Sequence, residues 1–195
     1  MTNEFQEAKE SLLSYLKLDA QRTFPELEAM AAGESKFIRD MKFNLRATLE
    51  SEHLSRKEAY LIALAVATNQ NDQVLAEGFT KSAVENGASE KEIAEIHACT
   101  SLLSTNNVLY RFRHFASEKK YETMHARLKM TLMVNPVIGK EFFELVSLVV
   151  SAVNGCETCV NSHEQSLQNL GTSHDRIFDA IRLGAVVRGI TAVIY

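Results

Sequence analysis

Proline and glycine are scarce, with two prolines and eight glycines in 195 residues. So few breakers leave long stretches free to stay helical, and the apolar/polar alternation of a half-buried strand is absent. An all-α fold is expected. Cysteine is scarcer than a disulfide-held secreted scaffold requires, and the odd total of three leaves at least one thiol unpaired. No apolar run approaches the ~20 residues needed to span a bilayer. The start, MTNEFQEAKE, lacks the basic and apolar regions of a secretory signal. A soluble cytoplasmic protein with no membrane partner is expected. Basic excess is missing too: 21 Lys and Arg stand against 25 Asp and Glu, a net charge of -4, which argues against nucleic acid as a partner.

A chain of this length buries about 70% of its unfolded surface as one domain, or as two small halves sharing a core. Apolar residues recur at helical spacing. FQEAKESLLSYLK puts Phe5, Leu12, Leu13 and Leu16 roughly on one side, a face suited to packing on the core or on a neighbouring subunit. ESKFIRDMKFNLRATL is a second helix. SRKE at Ser55 to Glu58 and SEKE at Ser89 to Glu92 are capping boxes that open further helices. Asn86 and Gly87 end the helix between them.

Sliding the chain by 84 residues aligns it with itself. Leu61, Ile62, Leu64 and Val66 fall on Leu145, Val146, Leu148 and Val150; Ser82, Gly87, Ser89 and Ile93 fall on Ser166, Gly171, Ser173 and Ile177. Two similar helical halves are expected, about 55–111 and 139–195, within a domain spanning 35–195, with 1–34 as an N-terminal helical extension. Tyr60, Asp72, Leu75 and Phe79 stand where the second half has Glu144, Cys156, Cys159 and His163. Apolar and turn positions recur because both halves must fold, whereas those four chemical groups occur once.

FFELVSLVVSAV is a strongly apolar helix whose polar residues, Glu144, Ser147 and Ser151, form one stripe. A carboxylate there needs a partner, because burying it unpaired costs several kcal/mol or protonates it. Taken alone, Glu144 would cap a helix or pair with an arginine. Asn154 and Gly155 break the helix, and CETCVNSHEQSLQNL opens the next, with Cys159 and His163 at i and i+4 and Cys156 in the first turn. Folding about that turn would let Glu144 reach His163, which would draw a proton from a thiol one turn away. The helix N-terminus would favour a thiolate further, and the second thiol could close a disulfide. Two thiols, an imidazole and a carboxylate could also hold zinc, but structural zinc sites usually draw on two separated ligand pairs and no second pair is present. Redox chemistry is the preferred expectation, with no metal. Cys99 reads as core filler, and His53, His97, His114, His125 and His174 as exposed or structural.

Glu144, an eleven-residue gap, Cys156-Glu157-Thr158-Cys159 and then His163 resemble the signature of the alkylhydroperoxidase D (AhpD) family, within the carboxymuconolactone-decarboxylase-like superfamily. NNVLYRFRHF at Asn106 to Phe115 and VNPVIGK at Val134 to Lys140 are similar to it as well. The resemblance implies an AhpD-like helical protomer assembled as a homotrimer, acting as an antioxidant disulfide reductase. It implies an AhpC-like peroxiredoxin as the protein reduced. Electrons would come from the dihydrolipoyl group of a lipoylated acyltransferase, recharged by dihydrolipoamide dehydrogenase and NADH, with no bound cofactor and weak direct alkyl hydroperoxide reduction. It implies Cys159 as attacking thiol, Cys156 as proton donor and resolving thiol, and Glu144 with His163 as relay. Thr158 stands where AhpD proteins often carry histidine, a departure that bears on direct peroxide reduction rather than on thiol exchange. Two other readings remain: a zinc-stabilised or structural helical oligomer, and a non-redox, decarboxylase-like enzyme on the same scaffold. NNVLYRFR reads as a helix end that locks the chain or a subunit contact.

Overall fold

Local caps set where the helices begin. The Ser55 amide donates to the Glu58 carboxylate at 2.8 Å while its hydroxyl accepts the Glu58 amide at 3.3 Å, and Ser89 and Glu92 repeat the pattern at 2.7 and 3.3 Å. Asp72 and Ser173 cap two further helices from their side chains. The structure, a computed structural model, describes residues 4–195; the first three residues of the expected extension 1–34 lie outside it. Its helices are α1 (Glu4–Tyr15), α2 (Pro25–Ala32), α3 (Phe37–Leu49), α4 (Arg56–Asn69), α5 (Gln73–Glu85), α6 (Glu90–Phe115), the short α7 (Lys120–Thr123), α8 (Lys140–Val153), α9 (Glu157–Asn169) and α10 (His174–Ile190). A 3-10 turn at Thr131–Met133 interrupts the segment between α7 and α8, and no strand occurs among the described residues.

The limits of α4 and α5 and the start of α6 recur 84 residues later in α8, α9 and α10. Gly87 and Gly171, which follow α5 and α9, both take a left-handed φ, 89° and 79°. The central helices of this arrangement are α4 and α8, which pack on each other and on α6 and α10. Leu61 to Ala67 and Phe143 to Ser151 are buried throughout. Helices α1 and α2 belong to the same core through Phe5, Leu12, Leu13, Leu16, Phe24 and Leu27. None of the described helices is long and apolar enough to cross a membrane.

The end of α1 lies against α5 so closely that only glycine fits between them: a Cβ on Gly78 would sit 2.3 Å from the Leu16 carbonyl oxygen. Backbone cannot swing aside as a side-chain tip does. Gly78→Ala is therefore expected to destabilise the fold by about 1–3 kcal/mol, roughly 2–4 °C of melting temperature per kcal/mol for a chain this size. Gly189 in α10 meets nothing within 4 Å. Gly189→Ala is the control and should leave the melting temperature unchanged or slightly raised, since alanine favours helix. Equal melting curves for both variants would show that α1 does not pack as described.

Candidate thiol site

Helices α8 and α9 are joined by Asn154 and Gly155, and the turn needs φ 66° at Gly155, a conformation glycine takes without strain. Cys156 follows as the N-cap of α9, and Cys159 lies one turn into the helix. Their sulfurs are bonded to each other, S–S 2.05 Å, with Cα atoms 5.3 Å apart. Cys156 is 0% exposed and Cys159 6%. That small difference has a direction, because Cys159 lines a cavity of about 260 Å³ and Cys156 does not.

His163, one turn beyond Cys159, lines the same cavity. Its Nδ1 meets Glu144 Oε2 of α8 at 2.6 Å, both side chains being buried. The fold about the Asn154-Gly155 turn thus brings Glu144, Cys156, Cys159 and His163 together. Glu144 has a second partner, and it is not an arginine: Lys140 Nζ, one helical turn earlier on α8, stands 2.7 Å from Oε1. Burial works to raise the Glu144 carboxyl, but the hydrogen bonds from His163 and Lys140 outweigh it and hold it below the ordinary carboxylate range. The i,i+4 spacing of Lys140 and Glu144 was the sequence signal for this contact.

The rest of the polar stripe on α8 turns towards α6. Ser151 accepts from Asn107 Nδ2 at 3.0 Å, and Ser147 lies 3.6 Å from the buried thiol of Cys99. Burial pushes that thiol up to about 12, so Cys99 is a protonated core residue at neutral pH. NNVLYRFR forms the closing turns of α6, which ends at Phe115, and it pins the α8–α9 turn. Arg111 donates to the Asn154 carbonyl at 2.7 Å, and the Asn154 amide donates to Asn107 at 2.9 Å and Asn69 at 3.2 Å. These contacts fix the backbone two residues before Cys156. Spacing along α6 carries no sign of them, since their partners lie some forty residues further along the chain.

The other wall of the cavity comes from the segment between α7 and α8. Met130 and Met133 face Leu103 and Tyr110 of α6 across it, and Thr158 and Ser162 complete the α9 side. Asn106 donates to the Met130 sulfur at 3.2 Å, and Glu95, buried on α6, accepts the amides of Val137 and Ile138 at 2.7 and 2.6 Å. A mostly apolar cavity thus ends on one sulfur of a bonded pair and on an imidazole backed by a carboxylate. Such an arrangement can receive a thiolate or a peroxide on an apolar carrier and move a proton beside it. Among the described residues no group of three or more His, Cys, Asp or Glu side chains is placed to hold a metal ion. His53 pairs with Asp179 at 2.8 Å, whereas His114 of α6 meets Glu157, the residue that follows Cys156, at 3.3 Å.

Known proteins are similar to this chain over most of its length. The carboxymuconolactone decarboxylase family matches residues 35–113 and 121–195. A protein named alkyl hydroperoxide reductase AhpD from Anaeromyxobacter dehalogenans is 39% identical over 165 residues, covering 83% of this chain and 86% of its own length. Another of that name from Azorhizobium caulinodans is 35% identical over 161 residues, covering 83% and 88%. A solved structure described as a gamma-carboxymuconolactone decarboxylase subunit from Burkholderia xenovorans superposes with a TM-score of 0.67 at 14% identity, over 96% of this chain and 92% of that one, which speaks to the fold alone. With matches over most of its length at these identities, the chain belongs to the carboxymuconolactone decarboxylase family, in its AhpD group.

Proposed function

We propose that this protein is an antioxidant thiol-disulfide oxidoreductase of the AhpD type, reducing a peroxiredoxin with electrons from dihydrolipoyl groups. The observation that carries the proposal is the Cys156–Cys159 pair, one sulfur of which lines an apolar cavity beside a carboxylate-backed imidazole. The similarity to proteins named alkyl hydroperoxide reductase AhpD supports the same activity.

In the reductive half, a thiolate of the dihydrolipoyl donor enters the cavity and attacks Cys159 Sγ, the reachable sulfur. The Cys156–Cys159 bond breaks, and Cys156 leaves as a thiolate at the positive end of α9. The donor's second thiol gives its proton to His163 and attacks the donor's other sulfur in the mixed disulfide. The lipoyl ring closes, and Cys159 is released as a thiolate that takes this proton from His163, with both electrons now on the protein. In the oxidative half, Cys159 gives up its proton to His163, and the thiolate attacks the disulfide of the oxidised peroxiredoxin. Cys156 then attacks Cys159 Sγ, restoring the internal disulfide and expelling the second peroxiredoxin thiolate, which takes the proton back from His163. With an alkyl hydroperoxide instead, the Cys159 thiolate takes the terminal oxygen, the O–O bond breaks and the alkoxide collects the proton as alcohol. Cys156 attacks the resulting sulfenic acid and water leaves. Thr158, which cannot relay a proton as an imidazole does, makes this the slower route.

Glu144 orients the His163 ring and stabilises the imidazolium. Lipoylated acyltransferase and dihydrolipoamide dehydrogenase as donors, homotrimeric assembly, cytoplasmic residence and the absence of a bound cofactor belong to the same proposal. The test combines the protein with lipoamide, dihydrolipoamide dehydrogenase and oxidised peroxiredoxin and follows NADH. Consumption requiring all components is expected. No consumption above the protein-free control, or one tightly bound zinc per chain with both thiols protected from alkylation, would overturn the proposal.

A further inference from the structure

Lys140 stands outside the four residues assigned to proton and thiol chemistry, yet its ammonium touches that machinery directly. Nζ lies 2.7 Å from Glu144 Oε1, while Oε2 of the same carboxylate lies 2.6 Å from His163 Nδ1. One buried carboxylate is therefore shared between a fixed cation and the imidazole. The ammonium has a second anchor, the Met133 carbonyl at 3.0 Å, on the segment that walls the cavity. That bond keeps Nζ over the carboxylate although the Lys140 side chain is 45% exposed. Eighty-four residues earlier the corresponding pair is Arg56 and Tyr60, and Arg56 turns instead to Glu50 at 2.7 Å. The cation–carboxylate–imidazole row is thus a feature of the half that carries the two thiols.

We propose that Lys140 is a positioning residue of the thiol site, which by sharing the Glu144 carboxylate tempers the pull of that carboxylate on the His163 proton, so that the imidazole both takes the Cys159 proton and returns it. The proposal rests on the thiol-disulfide reading of the site. A bare carboxylate in a buried pair with an imidazole strongly favours the imidazolium. A base held that way is already protonated when the thiol needs it, and it does not release its proton to a leaving thiolate. A base serves both directions only when its proton affinity matches the working pH. The ammonium offsets part of the carboxylate charge and so works against that excess hold on the proton.

No other side chain among the described residues does this. On α6, Glu95 holds two backbone amides, Cys99 lies against Ser147 and His114 pairs with Glu157 of α9. Tyr110 of α6 lines the cavity, and Glu164 on the far part of α9 accepts from Gln168. Glu141, next to Lys140 on α8, is held with Glu58 of α4 by Arg176 of α10. Among the described residues, the ammonium of Lys140 and the imidazole of His163 are the two side-chain partners of Glu144.

The test follows the His163 imidazole by NMR through a pH series in wild type, Lys140→Met and Lys140→Arg, in both the disulfide and the reduced protein. Lys140→Met is expected to move the midpoint of that titration up by about one pH unit, about tenfold in proton affinity, and Lys140→Arg to restore it. The direction opposes that of Glu144→Gln, which removes the anion and must move the midpoint down. An unchanged or lowered midpoint in Lys140→Met, or an arginine variant that behaves like the methionine variant, would overturn the proposal. Because the titration needs no electron donor or acceptor, it answers independently of the NADH assay: failure there alone refutes the redox reading, and failure here alone refutes the role of Lys140.

Discussion

Cys159→Ser is expected to abolish turnover with every electron acceptor, whereas Cys156→Ser is expected to yield a protein that attacks once and stops with its partner attached. Access to solvent and to the cavity separates the two sulfurs. Cys159 lines the cavity, and Cys156 is fully covered at the start of α9. An incoming thiolate or disulfide therefore meets Cys159 first, and only a sulfur one turn away can release it. The position of Cys156 at the helix N-terminus argues for the more acidic thiol there, and this fits its task. A thiol of low proton affinity is the better leaving group when the internal disulfide opens, while the attacking thiol gains more from a nearby base. Loss of the bridge does not explain the contrast, since both variants lose the same short loop closure, worth about 2 kcal/mol. The measurement is a non-reducing gel with intact-mass analysis after mixing each reduced variant with oxidised peroxiredoxin. A reductant-sensitive adduct of one partner per chain is expected for Cys156→Ser and none for Cys159→Ser. Normal cycling by Cys156→Ser would remove its resolving role, and an adduct in Cys159→Ser would exchange the two assignments.

What the sequence made legible is what local physics decides. Helices start at Ser55 and Ser89 because a hydroxyl and a carboxylate three residues apart satisfy free amides wherever they occur, and both boxes are formed. Glu144 and His163 could be expected to meet because each lies a similar distance from a turn that two residues, Asn154 and Gly155, make almost unavoidable. The contacts that escaped prediction join segments far apart in sequence or irregular in structure. Arg111 reaches Asn154, and Met130 and Met133 wall the cavity from a stretch with no period to read. Lys140 is an intermediate case. Its i,i+4 relation to Glu144 is local, yet a lysine in the first turn of a helix reads as an ordinary solvated charge until burial of the carboxylate is known. Glu95 is similar: a glutamate amid a capped, charged helix start gives no hint that it holds the backbone of Val137 and Ile138.

Glu144→Gln tests the relay without altering its shape. The amide oxygen can still accept from His163 Nδ1 and the side chain keeps its volume, so the α8–α9 packing and the disulfide should be retained. What disappears is the charge. A hydrogen bond to a charged group is worth about 1.5–3 kcal/mol, which is roughly one to two units of proton affinity. The wild-type carboxyl is held below its ordinary range by His163 and Lys140, so it stays ionised throughout the range near neutrality and contributes no titration of its own there. Its effect is felt through the imidazole, which without the anion binds a proton less readily and draws less thiolate from Cys159. In the reduced protein, alkylation of Cys159 at neutral pH is therefore expected to slow by about ten- to a hundredfold, with the rate recovering as the pH is raised and the thiol ionises unaided. Cys99, buried and protonated, stays unreactive in both proteins and serves as the internal reference for peptide mapping. A superimposable pH dependence of alkylation in wild type and Glu144→Gln would mean that the 2.6 Å contact between carboxylate and imidazole only holds two helices together.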